Sequence, residues 1–70
     1  MSRYFFHIKR GRVTVLDHVG VELADLADAE REATRRAEEI VLREGLNAVT
    51  QGTGAVVIAD DWRTVMEVPF

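Results

Sequence analysis

Hydrophobic and polar positions change period three times along the chain. In Tyr4-Phe5-Phe6-His7-Ile8-Lys9, aromatic and β-branched residues crowd together, as they do in a pleated, half-buried strand. Arg10-Gly11 offers a two-residue turn, because Gly adopts positive φ without penalty. Val13-Thr14-Val15-Leu16 then reads as the return strand. In that register Lys9 faces Arg12, Ile8 faces Val13 and Phe6 faces Val15. Cross-strand partners share a face of the sheet. Tyr4, Phe6, Ile8, Val13 and Val15 therefore form the expected core face, and Phe5, His7, Thr14 and Leu16 the opposite one.

Residues 17–23 form a connector in which Val19, Val21 and Leu23 alternate, with Gly20 a candidate bulge. From Leu26 the period becomes helical. Leu26, Ala29, Ala33, Ala37, Ile40 and Val41 fall in one stripe of the width that faces a core. Asp25 is placed to cap the first turn, and Asp28 adds charge at the positive end of the helix dipole. Gly45 is a suitable stop. The spacing predicts a helix over residues 25–44, with Glu32–Arg36, Arg35–Glu39 and Glu39–Arg43 as i,i+4 pairs on its wet side. A loop with Asn47, Gly52 and Gly54 follows. Ala55-Val56-Val57-Ile58-Ala59 is the third strand and Thr64-Val65-Met66-Glu67-Val68 the fourth. A three-residue loop over 61–63 sets Ile58 opposite Met66 and Val56 opposite Val68, with Val57 and Glu67 turned the other way. Pro69 suits a strand end, where no ladder donor is needed. The reading is α+β in the order β-β-α-β-β: two hairpins forming an antiparallel four-stranded sheet, with one helix packed on one face.

Composition narrows the class. At 70 residues the chain is one small domain, residues 1–70, and its 47% hydrophobic content is too high for a disordered segment. Without Cys, disulfides, thiolate metal sites and cysteine nucleophiles are excluded. No apolar run reaches the roughly 20 residues that span a bilayer, and Met1-Ser2-Arg3-Tyr4 does not open a signal peptide. A cytoplasmic domain is expected. Charge is uneven. Arg3, Lys9, Arg10 and Arg12 stand without an acid in residues 1–16, and Asp17, Glu22, Asp25, Asp28 and Glu30 without a Lys or Arg in residues 17–30. The net charge of −3 argues against non-specific binding to phosphates.

The opening Arg3-Tyr4-Phe5-Phe6-His7-Ile8 recurs in a family, as do Asp17-x-x-Gly20-Val21-Glu22-Leu23 followed by Asp25-Leu26 and the ending Val68-Pro69-Phe70. In their order and spacing, over nearly the whole chain, they resemble a family of small bacterial proteins of unknown function common in rhizobia and their relatives. Family members often carry Gly where this chain has Trp62. The resemblance implies the fold read above and a single domain. It implies no activity, ligand or catalytic residue.

Candidate chemistry is sparse. His7, Asp17 and His18 are the one possible metal or acid–base cluster, but a working site needs three convergent ligands and supporting partners, and the chain has only two His. They read as surface residues. Gly52-Thr53-Gly54 lacks the Lys and following helix of a phosphate loop and reads as a turn. No enzyme, cofactor or small-molecule ligand is expected. The informative feature is the sheet face away from the helix, which carries Phe5, Leu16, Val57 and Val65 beside His7, Thr14 and Glu67. An apolar patch there marks an interface, and self-association supplies burial that a small core lacks. The leading expectation is a homodimerising or protein-binding module using Phe5, His7, Leu16, Val57 and Trp62, with Trp62 either folded back or exposed as an anchor. The alternative is a nucleic-acid-binding or regulatory domain using Arg3, Phe5, Lys9, Arg10 and Arg12, with Phe5 as a stacking platform.

Overall fold

A computed structural model describes residues 1–44, 54–61 and 63–70. The elements are β1 (Ser2–Arg10), β2 (Val13–Val15), β3 (Val21–Leu23), α1 (Leu26–Glu44), β4 (Gly54–Ala59) and β5 (Thr64–Pro69). All pairings are antiparallel. The sheet runs β2-β1-β4-β5, and β3 pairs with the first residues of β1. Among the described residues the class is α+β with one helix, as expected, but the sheet has five strands rather than four. The extra strand is the connector. Val21 pairs with Tyr4, while Val15 already pairs with Ile8. The chain therefore lays six steps against four of β1, and the surplus loops out between β2 and β3. The surplus is even, so Val21 and Leu23 keep Tyr4's side of the sheet and pack against the core.

The first hairpin is also displaced. Arg10 pairs with Val13, Lys9 with Thr14 and Ile8 with Val15, so the turn is Gly11-Arg12, with Gly11 at φ 58°. This corrects the Arg10-Gly11 turn and its Lys9–Arg12, Ile8–Val13 and Phe6–Val15 partners. The physical gain is that Lys9 faces Thr14 instead of a like charge. A two-residue slip preserves alternation, so the residues assigned to each face stay together. Val13 and Val15 nevertheless leave the core, at 63% and 61% exposed. β2 and β3 follow one another along the same edge of β1, β3 against Ser2–Tyr4 and β2 against Ile8–Arg10. Here α1 packs chiefly on β4, β5 and β3, so it covers the β3 end of that edge and leaves the β2 end open.

The second hairpin follows the expected register, with Val56 opposite Val68, Val57 opposite Glu67 and Ile58 opposite Met66. Ala59 then pairs with Thr64, so Val65 is the extra residue of a bulge and packs against the core instead of the open face. Asp60 and Arg63 close the turn, with Asp60 N donating to Arg63 O at 3.0 Å and Arg63 N to Asp60 Oδ1 at 3.2 Å. Trp62, Gly45, Asn47, Gly52 and Thr53, to which the sequence assigns turn or stop roles, lie outside the described residues.

Asp25 caps α1 as its position predicts, its Oδ1 accepting from Asp28 N at 2.9 Å. The stripe is buried through its middle and half-buried after it: Ala29 and Ala33 are fully buried and Ala37 nearly so, Ile40 and Val41 are half-buried, and Leu26 in the first turn is 38% exposed. Small residues let the helix axis approach the sheet, where Phe6, Val56 and Ile58 fill the contact. Arg36 belongs partly to this layer. Its guanidinium lies 4.6 Å from the Phe6 ring centroid while its Nε holds Glu32 at 2.7 Å. Glu39 is paired with Arg35, which also holds Glu32.

Ala33 has no room to grow. Ala33→Leu is expected to push the helix off β4 at a cost of about 1–3 kcal/mol, which lowers the thermal midpoint of so small a domain by roughly 5 °C or more. Thermal unfolding followed by circular dichroism measures it. An unchanged midpoint would show that the helix does not rest on the sheet through this residue.

Candidate interaction face

Strand alternation sends Phe5, His7 and Lys9 of β1 to the face opposite α1, together with Ala55, Val57 and Ala59 of β4 and Glu67 of β5. Among the described residues no element packs on that face. The Phe5 and His7 rings lie nearly parallel, with centroids 6.5 Å apart and 10° between planes. Val57 sits beside His7 and is half-buried, and Ala55 and Ala59 are buried by their larger neighbours. A shallow groove of about 420 Å³ runs past Phe5, His7, Ala59 and Thr64 to a rim of Asp60, Asp61 and Arg63.

This face is held in place from the sheet edge. Between β2 and β3, the Phe6 amide has no strand partner on its outer side. The Asp17 carboxylate takes that role, its Oδ2 accepting from Phe6 N at 3.1 Å and its Oδ1 from Val19 N at 3.0 Å and Gly20 N at 3.1 Å. Burial pushes the Asp17 carboxyl up, but the amides of Gly20, Phe6 and Val19, with the Arg36 charge, outweigh it and leave the group below the ordinary aspartate range. The Asp17 amide donates to His7 Nδ1 at 3.0 Å. That bond fixes Nδ1 as the acceptor, so neutral His7 carries its proton on Nε2. Gly20 completes the corner at φ 76°, where a Cβ would meet Arg3 Cγ at 2.8 Å and Phe5 Cε1 at 2.9 Å. The corner thus clasps Phe5 and His7 at once.

The structure brings some of the sequence-predicted site residues together and separates others. Phe5, His7 and Val57 share the open face. Leu16 leaves the ladder after β2 and is 56% exposed. Val65, placed on this face by simple alternation, belongs to the core through the bulge. The basic set is divided. Arg3 is engaged with Val19 O at 2.7 Å and Glu22 at 3.5 Å. Lys9 is exposed on the open face, Arg10 falls on the helix side, and Arg12 sits in the turn. Of the proposed ligand cluster, His7 and Asp17 do meet, but through a backbone amide, while the Asp17 carboxylate is spent on other amides. His18 is exposed, and among the described residues no three His, Asp or Glu side chains converge as metal ligands.

Removing the carboxylate strands three amides. Asp17→Ala is expected to cost about 2–3 kcal/mol at neutral pH, on the scale of hydrogen bonds to a charged group. The pH sign follows from the lowered folded value: the contribution is complete above the ordinary aspartate range and fades as pH falls through the folded one. The stability gap between wild type and Asp17→Ala, read from urea midpoints at a series of pH values, should narrow on acidification. A gap that stays constant with pH would show that the charge is not the source.

The comparisons with known proteins add one match. A family model described as a domain of unknown function, DUF6894, matches residues 3–70. No curated protein and no solved structure matches the chain.

Proposed function

Because this chain belongs to the DUF6894 family, whose function is unknown, we propose from its geometry that it is a non-enzymatic, self-associating module of the bacterial cytoplasm. Its contact surface is the open sheet face. The observation that carries this reading is the Phe5–His7 stack beside Val57 and two alanines, on a face that no described element covers. Half-buried aromatic and aliphatic side chains at the centre of an open sheet face are what an interface core requires. A second copy is the favoured occupant because the domain's own core is thin: among the described residues its buried side chains are Phe6, Val56 and Ile58, and otherwise alanines. Sheet-to-sheet contact adds burial that folding of one copy does not supply. No helix among the described residues is long and apolar enough to cross a membrane.

The nucleic-acid reading has less support. Arg3 is engaged by a carbonyl and a carboxylate, Arg10 falls on the other side of the sheet, and the groove beside Phe5 has Asp60 and Asp61 on its rim. Acids beside a stacking platform repel phosphates.

Light scattering across a dilution series tests the reading. A mass twice that of the 7.9 kDa chain is expected. Phe5→Asp and Val57→Asp should each weaken the dimer roughly 30-fold or more, the effect of losing a hot-spot residue, while far-UV circular dichroism stays unchanged. A monomeric wild type at every concentration overturns it. Salt-sensitive retention of the chain on an oligonucleotide would point to the alternative.

A further inference from the structure

The open face has a pattern that selects one way for two copies to meet. Its rows are Phe5–Ala59–Thr64, His7–Val57–Glu67 and Lys9–Ala55–Pro69. Read down the strands, β1 presents an aromatic, an imidazole and a cation. The middle strand β4 presents only small apolar residues, and β5 presents Thr64, Glu67 and Pro69. Two identical faces packed against each other are related by a two-fold axis lying between them. If that axis runs across the strands, along the central row, Glu67 meets the partner's Glu67 and His7 meets the partner's His7. Like charges directly opposite each other are destabilising. If it runs along β4, the β1 side of one copy lies over the β5 side of the other. His7 then faces the partner's Glu67, twice by symmetry, and Val57 meets the partner's Val57.

Resting on the self-association proposed above, we infer that the dimer is built on the second arrangement: a two-fold axis along β4, Val57 at its centre and reciprocal His7–Glu67 contacts flanking it. Three observations converge on it. The Asp17 amide occupies His7 Nδ1, so Nε2–H is the donor left to the open face, matched to a carboxylate acceptor. Glu67 is exposed, and no partner for it is found among the described residues. The contact lies on the central row, which the roughly 30° rotation between packed sheets displaces least. Val against Val also suits the spacing of about 10 Å between facing sheets.

Because the chain has no Cys, single cysteines report the arrangement without background. A short bismaleimide should join Val57→Cys chains to each other. His7→Cys alone and Glu67→Cys alone should stay unlinked, and an equimolar mixture of the two should give the mixed dimer. Glu67→Lys should weaken the dimer by about tenfold in light scattering, without any cysteine present. Self-linking of His7→Cys, or of Glu67→Cys, would overturn the arrangement in favour of the cross-strand axis and leave self-association standing. A dimeric wild type whose Val57→Cys chains do not link would place the interface off this face and overturn the arrangement too. A monomeric wild type would remove the reading beneath it.

Discussion

One carboxylate organises the edge of this sheet. Asp17 gathers the amides of Phe6, Val19 and Gly20 where the ladder between β1 and its neighbours is interrupted. Without an acceptor, the Phe6 amide would be an orphaned donor beside the core, the kind of defect that folded proteins rarely tolerate. With it, the chain can leave β2, turn through Gly20 and rejoin β1 as β3 with its alternation intact. The same residue's amide sets the His7 ring, and the turn it stabilises presses Gly20 against Arg3 and Phe5. The open face is therefore not an independent patch. Its two rings are oriented by a corner whose own stability depends on a charge.

How much of this was legible depends on where the information sits. The second hairpin could be read because apolar side chains occur in matched pairs, Val56 with Val68 and Ile58 with Met66, whereas a loop one residue shorter would set Val56 against Glu67. The first hairpin was read two residues off, since Val13, Thr14 and Val15 tolerate either alignment and only the Lys9–Arg12 conflict argued against the chosen one. Faces survived that error because two is an even number. The helix start, its Asp25 cap and the alanines of its stripe were legible because each rests on local side-chain chemistry. The Asp17 corner was legible only as the Asp17-x-x-Gly20 spacing, an Asx-turn signal. That the same carboxylate serves the Phe6 amide needs no particular side-chain partner, so the sequence does not mark it. Its nearness to His7 was visible, but the bond runs through Asp17's backbone. The bulge that turns Val65 inward is likewise a backbone event, invisible to simple alternation.

Exposure of Val13 and Val15 shows a different limit. The apolar pattern correctly assigns them to the helix side, but pattern cannot say where along the strands the helix crosses the sheet. The helix rests on β4 with Ala29, Ala33 and Ala37 on its buried face, and on the far edge of β1 its contacts go chiefly to β3. Val13 and Val15 pair with β1 at the other end of that edge, opposite Arg10 and Ile8. Their exposure therefore follows from the position of the crossing, not from the apolar pattern of β2 itself.

The same geometry constrains the other side of the sheet. The five-stranded sheet of the described residues has two faces, and their one helix covers part of one. If the second face were simply a solvated surface, its centre would need no rings or aliphatic side chains. Instead the polar residues, Thr64, Glu67 and Lys9, stand in the flanking strands, and the central strand carries Ala55, Val57 and Ala59. That is the layout the proposed self-association calls for, an apolar centre with a polar rim at the scale of one sheet. Opposite charge is placed on the two flanks rather than mixed along them. On that proposal, a copy rotated about β4 sets the flank of one charge over the flank of the other.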